Sequence, residues 1–181
     1  MIGISGAGKS TLARRLALLQ GAAPIELDAL YWGPHWTRRP LAAFRRDVEA
    51  AVQPDRWTVD GNYRTVRDLV WPRATCVVWL NLSLPRVFWH VLRRTLQRAR
   101  TRQVLWSGNR EDWRRAFCSR ESILWWVLTM YRRRQREFAA LKQAADAGPV
   151  WIELRTPRQV QAWLRRQERA GDRVEVQAWT S

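Results

Sequence analysis

Cysteine is scarce in this chain: among 181 residues only Cys76 and Cys118 occur. Two such residues make no disulfide framework and have no metal-ligand spacing, so a reducing, cytoplasmic compartment is expected. Lysine is as scarce. Of 32 basic residues only Lys9 and Lys142 are lysine, and with 16 acidic residues the formal net charge is +16. A field of this sign attracts nucleotides, nucleic acids and acidic surfaces alike, so it bounds the partners without choosing among them. Long hydrophobic runs are absent too. Ile123 to Tyr131 falls far short of the roughly 20 residues of a membrane span, so no membrane is expected as a partner and the run is read as a buried helical segment. No secretory leader precedes the glycine-rich start. Without internal repeats or low-complexity linkers, the sequence implies one domain. Thirteen Trp and 46% apolar residues are enough for its core.

What is present begins at once. Gly3-Ile4-Ser5-Gly6-Ala7-Gly8-Lys9-Ser10-Thr11 fits the phosphate-binding pattern G-x-x-x-x-G-K-[ST] at every fixed position. Glycines at Gly3, Gly6 and Gly8 let the backbone bend so that several N–H groups, those around Ala7 included, converge on phosphate oxygens. Lys9 is placed to neutralise β- and γ-phosphates, the Ser10 hydroxyl to ligate Mg²⁺, and Thr11 to enter the helix whose dipole faces the same anion. ATP and Mg²⁺ are the cofactors this loop implies. A phosphate loop follows a strand of about five residues, yet only Met1 and Ile2 precede Gly3. The first strand is therefore expected to be truncated, with the recorded start lying inside a longer reading frame.

Short apolar runs alternate with helical patterns, which predicts an α/β fold with a parallel sheet. Strands are expected at Pro24–Leu27, Trp57–Val59, Thr75–Leu80 and Val150–Leu154. Helices are expected from Thr11, from Pro40 to about Val52, from Pro85 to about Arg102, from about Arg120 to Ala147, and from Pro157. The domain is expected to span residues 1–170, with 171–181 a tail.

Asp28 and Asp60 close the second and third strands. Ligands of open α/β sheets bind at the carboxyl ends of strands, so both would face the phosphate loop. Asp60 is a candidate outer-shell Mg²⁺ ligand opposite Ser10. Asp28 is a candidate to orient or deprotonate an acceptor hydroxyl, or to bind the acceptor. Either aspartate can equally well cap the turn that follows it.

The phosphate loop, Leu27-Asp28-Ala29-Leu30-Tyr31-Trp32 and Trp57-Thr58-Val59-Asp60-Gly61-Asn62-Tyr63 together resemble the adenylate-kinase-like P-loop proteins often labelled DNA topology modulation proteins. The likeness extends through Trp71-Pro72-Arg73-Ala74, Arg93-Arg94-Thr95, Gly108-Asn109-Arg110-Glu111 and Arg155-Thr156-Pro157-Arg158, over roughly residues 1–165. It implies a three-layer sandwich on a five-stranded parallel sheet of nucleoside-monophosphate-kinase type. It also implies ATP and Mg²⁺ binding, and phosphoryl transfer to an acceptor that the family does not define. Asp60-Gly61-Asn62-Tyr63-Arg64 is similar to the Asp-Gly-Phe-Pro-Arg of adenylate kinases. There the arginine holds the acceptor phosphate, which makes Arg64 a candidate and Arg67 its rival. The change to Asn62-Tyr63 argues against AMP as the acceptor.

Residues 98–120 lie where such kinases carry an arginine-rich lid, with Arg102 and Arg110 as candidate stabilisers of the transferring phosphoryl group. The same arginines also fit a solvated cationic helix face. Arg155 falls where the family's adenine-packing loop lies. Trp57, Trp79, Trp125, Trp126 and Trp151 are expected in the core. Trp32 and Trp36, in a Gly/Pro-containing loop beside Asp28, are candidates to stack on an acceptor ring, and His35 is expected at the surface. The leading reading is an ATP-dependent phosphotransferase acting on a nucleotide or small molecule. An ATP-responsive nucleic-acid-binding regulator and an inactive truncated product are its rivals.

Overall fold

A computed structural model describes residues 1–101, 104–109, 123–145 and 148–178, the last eight of these by their backbone alone. The described chain is α/β. Its strands are β1 (Ile2–Gly3), β2 (Ala23–Glu26), β3 (Trp57–Asp60), β4 (Cys76–Leu80) and β5 (Val150–Leu154). Its helices are α1 (Lys9–Gln20), α2 (Leu27–Tyr31), α3 (Leu41–Ala51), α4 (Arg67–Val70), α5 (Leu84–Thr101), α6 (Ile123–Gln143) and α7 (Pro157–Ala178). No helix among the described residues is long and apolar enough to cross a membrane.

Every strand pairing is parallel. β1, β4 and β5 form a three-stranded sheet in the order β1-β4-β5, and β2 pairs with β3 from Ala23↔Trp57 to Glu26↔Asp60. The strands thus fall into a sheet and a separate pair. Two backbone hydrogen bonds run between the pair and the first residue: the Met1 nitrogen donates to Val59 O (2.6 Å) and Gly61 N donates to Met1 O (3.2 Å).

β4 is apolar on both faces, Val77 and Trp79 on one and Val78 and Leu80 on the other, as a strand covered on both sides must be, and all four are buried. β2 ends one residue earlier than expected. Leu27 is buried at 2% exposure as the first residue of α2, so Asp28 sits in the first turn of a helix. α3 packs Phe44 and Val48, both fully buried, against Val59, Val66 and Val70. α1 is tied to β3 inside the core, where the buried Thr58 hydroxyl donates to Ala13 O (3.0 Å). α5 lays Val87 and Val91 against Ile4 and against Val127 of α6. α7 begins with a reciprocal cap: Gln159 N donates to Thr156 Oγ1 (3.2 Å), and Gln159 Oε1 accepts from Thr156 N. The helix runs on to Ala178, eight residues past position 170.

Trp79 is core, as expected, and Trp57 and Trp151 are half-buried. Trp125 is not core: 56% of it is exposed, while Trp126 packs on the cluster formed by α5 and α6. In one contiguous apolar run only the positions facing α5 can be covered, and Trp125 falls between them.

Candidate functional site

The loop between β1 and α1 takes its shape from glycine. Gly6 (φ 83°) and Gly8 (φ 89°) occupy the left-handed region, and Gly8 is the residue from which α1 starts. At Gly6 the need is steric as well, because a Cβ there would lie 2.3 Å from Val91 Cγ2 and 3.0 Å from Val87 O. The first turn of α1 therefore points its backbone N–H groups at the loop, which is the arrangement that binds anions.

Lys9 opens α1 and folds back over the loop, its Nζ donating to Ile4 O at 3.3 Å. Burial lowers the Lys9 pKa, against the pull of the Asp60 and Asp28 carboxylates, and the nearby Arg94 and Arg134 charges add to the lowering. Arg94, on α5, donates through Nη2 to Ser5 Oγ (3.1 Å) and so adds a second cation to the loop. The Ser10 hydroxyl donates to Asp60 Oδ2. Asp60 is buried at 9% exposure, and its Oδ1 has no hydrogen-bond partner. The expected grouping of Gly3, Gly6, Ala7, Gly8, Lys9, Ser10 and Asp60 is thus brought together, with Thr11 following within α1.

Asp28 belongs to the same end of the β2–β3 pair. Its Oδ1 accepts from the Tyr63 hydroxyl at 2.5 Å. Burial raises the Asp28 pKa. Tyr63, Lys9 and Arg94 oppose that rise, and Asp60 adds to it. Burial and the Asp28 charge in turn push the Tyr63 hydroxyl pKa up, so the phenol keeps its proton and remains the donor. Tyr63 is wedged between Tyr31 (ring centroids 4.6 Å apart) and the buried Phe44 (5.3 Å). Trp32 meets Tyr31 and Trp36 edge to face at 4.9 and 5.8 Å. His35 is exposed, as expected.

The arginines divide. Arg67 is bound to Asn62 Oδ1 (3.2 Å) and Glu137 Oε1 (3.0 Å), and its guanidinium stacks 4.8 Å from the Trp71 ring centroid. Arg64 is exposed, and with Arg67, Trp71 and Pro149 it lines a surface groove of about 510 Å³ that includes no residue of the phosphate loop. Neither is held against the loop. Arg155 pairs with Glu153 (2.7 Å) and is largely exposed. Arg102, Arg110, Cys118 and most of the expected lid lie outside the described residues.

Three groups escaped the sequence reading. In sequence Tyr63 is only a departure from the Asp-Gly-Phe-Pro-Arg pattern, and Arg94 is one arginine among many along α5. The third, Asn109, is buried at 5% exposure. It donates to Gly33 O and accepts from Trp36 N, both at 2.9 Å, while Ser107 Oγ donates to Trp32 O (2.7 Å) and Trp106 Nε1 to Glu26 Oε2 (3.1 Å). Residues 106–109 therefore clasp the Trp32–Trp36 loop, a contact over 73 positions that no local pattern encodes.

Comparisons with protein-family models, with curated proteins and with solved structures gave no match.

Proposed function

We propose that the chain is an ATP-dependent phosphotransferase. The observation that carries the reading is the pairing of Ser10 with Asp60 behind a left-handed glycine loop over which Lys9 folds back. A parallel α/β architecture and the two backbone bonds from Met1 to Val59 of β3 and to Gly61 just after it support a single five-stranded sheet in the order β2-β3-β1-β4-β5. In that arrangement the loop hangs from the central strand.

Among the described residues no three His, Cys, Asp or Glu side chains form a metal cage. A Mg²⁺ ion held partly by nucleotide oxygens needs none, and the partnerless Asp60 Oδ1 beside the Ser10 hydroxyl fits that role. Bound there, the ion would neutralise charge on the β- and γ-phosphates. The chain's own residues do the rest. Loop N–H groups bind the phosphates, and Lys9 and Arg94 supply fixed positive charge.

Asp60→Asn should weaken Mg²⁺-ATP binding by about tenfold or more while changing metal-free ATP affinity little. Equal losses with and without Mg²⁺ would take Asp60 away from the ion. One observation favours the nucleic-acid reading: α5 exposes Trp89 at 60% between Arg86 and Arg93. If charge alone drives such binding, DNA affinity falls steeply with salt and ignores ATP. Tight, ATP-dependent binding at high salt would favour a regulator.

A further inference from the structure

The acceptor end of the site has a chemical character of its own. Asp28 has one carboxylate oxygen pinned by Tyr63, and among the described residues Oδ2 has no hydrogen-bond partner. Tyr63 is itself held by Tyr31 and Phe44, so the carboxylate is oriented and not swinging. An aspartate with one oxygen fixed and the other open is set to accept a single proton. Its raised pKa, a result of burial, makes it a stronger base than a surface aspartate.

Beside it stand aromatic rings. Trp32 N donates to Asp28 O (3.1 Å), which ties the indole to the carboxylate's own helix. Trp32, Trp36 and Trp106 are half-buried and meet in sequence edge to face, Trp36 and Trp106 at 6.5 Å. Such a cluster offers ring surface without charge.

Among the described residues the cations nearby are committed elsewhere, and the exposed Arg64 lines the separate groove with Trp71 and Pro149. Arg67 is held by Asn62, Glu137 and Trp71, Arg14 by Glu26, and Arg39 by Asp47 (2.6 Å) and Leu30 O. Arg94 and Lys9 are bonded to the phosphate loop itself. A phosphate on the acceptor would therefore meet a carboxylate with none of these cations released to offset it, whereas an uncharged alcohol meets a proton acceptor and aromatic surface.

From this arrangement we infer that the acceptor is a phosphate-free alcohol whose molecule also bears a planar ring, as a nucleoside's sugar hydroxyl and base do, and that Asp28 takes the proton from its hydroxyl. In the step, the acceptor oxygen forms a bond to the γ-phosphorus of ATP as the bond from that phosphorus to the β–γ bridging oxygen breaks. The electron pair leaves on ADP, and the hydroxyl proton ends on Asp28 Oδ2.

This inference rests on the phosphotransferase reading, and one set of titrations separates their failures. The whole chain is first titrated with a magnesium complex of a non-hydrolysable ATP analogue; absence of binding there would sink the parent reading. With the analogue bound, each of the four ribonucleosides is titrated against its own 5′-monophosphate. At least one nucleoside should bind saturably, and its monophosphate about tenfold more weakly. Equal or tighter monophosphate binding, or no nucleoside binding beside a bound analogue, overturns the inference alone. In transfer assays with labelled ATP, Asp28→Asn should lower kcat by about a hundredfold with KM nearly unchanged. An unchanged kcat would remove Asp28 as the base. Should that variant fail to fold, the matched pairs on the unaltered chain still decide the acceptor class.

Discussion

Gly6→Ala tests whether the phosphate loop and α5 are one rigid unit. The backbone at Gly6 has φ 83°, a conformation that costs an L-residue roughly 1–2 kcal/mol. The new methyl would also lie 2.3 Å from Val91 Cγ2, an overlap that must push the loop off α5 or the valine off its rotamer. Overpacking of that kind costs about 1–3 kcal/mol, so the variant should lose about 2–5 kcal/mol in all. Gly8→Ala supplies the internal control. It has a similar φ of 89° but nothing within 4 Å of the added carbon, so it should show only the conformational part. Removing the obstruction supplies a second. Val91→Ala alone costs about 2 kcal/mol for two buried methyl groups and the space they leave. The double variant should be more stable than the sum of the singles by about 1–3 kcal/mol. Urea unfolding followed by circular dichroism reads the unaltered chain and all four variants, provided m stays constant. Additivity within about 0.5 kcal/mol would refute the claim that Gly6 is required by the side chain of Val91.

Asn109→Ala removes two hydrogen bonds and leaves Gly33 O without that donor in a buried setting. A loss of about 2–4 kcal/mol is expected, with increased proteolysis in the Trp32–Trp36 loop; a neutral effect on both would show that the clasp is incidental. Glu153 gives a pH signature. Although burial would raise its pKa, hydrogen bonds from Arg155, Asn81 and Lys142 hold it at about 2, against 4.5 for the free side chain. Its contribution to stability is therefore complete above pH 4.5 and is lost as the pH falls toward 2, where the native carboxylate is protonated. Glu153→Gln should abolish that part of the acid-induced loss, measured as the difference between the two proteins. Other depressed carboxylates, such as Glu137, are common to both and cancel. Parallel stability curves below pH 4.5 would contradict the assignment.

Much of the site was legible because its chemistry needs particular residue types at fixed spacing. Glycines at 3, 6 and 8 with Lys9 and Ser10 specify a loop whatever surrounds it, and a carboxylate at the end of β3 follows from strand periodicity. β4 was legible for a similar reason: a buried parallel strand must be apolar on both faces, and that leaves a continuous run. What stayed hidden depends on distant partners. Arg67 looks like a phosphate ligand until Glu137, 70 residues away, is found to hold it. Tyr63 gains its role from Asp28 across 35 residues, and Asn109 from Trp36 across 73. Leu27 was placed in a strand by its hydrophobicity, yet the same burial is satisfied at the start of α2. The division into a three-stranded sheet and a pair reflects β1, whose two residues are too few to build a full ladder on both sides.

The central claim is that Lys9 and its loop bind the phosphates of ATP. Calorimetric titration of Mg²⁺-ATP into the unaltered chain and into Lys9→Ala, with circular dichroism confirming that both are folded, tests it most directly. Loss of a charge-assisted contact of about 1.5–3 kcal/mol should weaken binding by roughly ten- to a hundredfold or more. Equal affinity in the two proteins, or no ATP binding by either, would contradict the account.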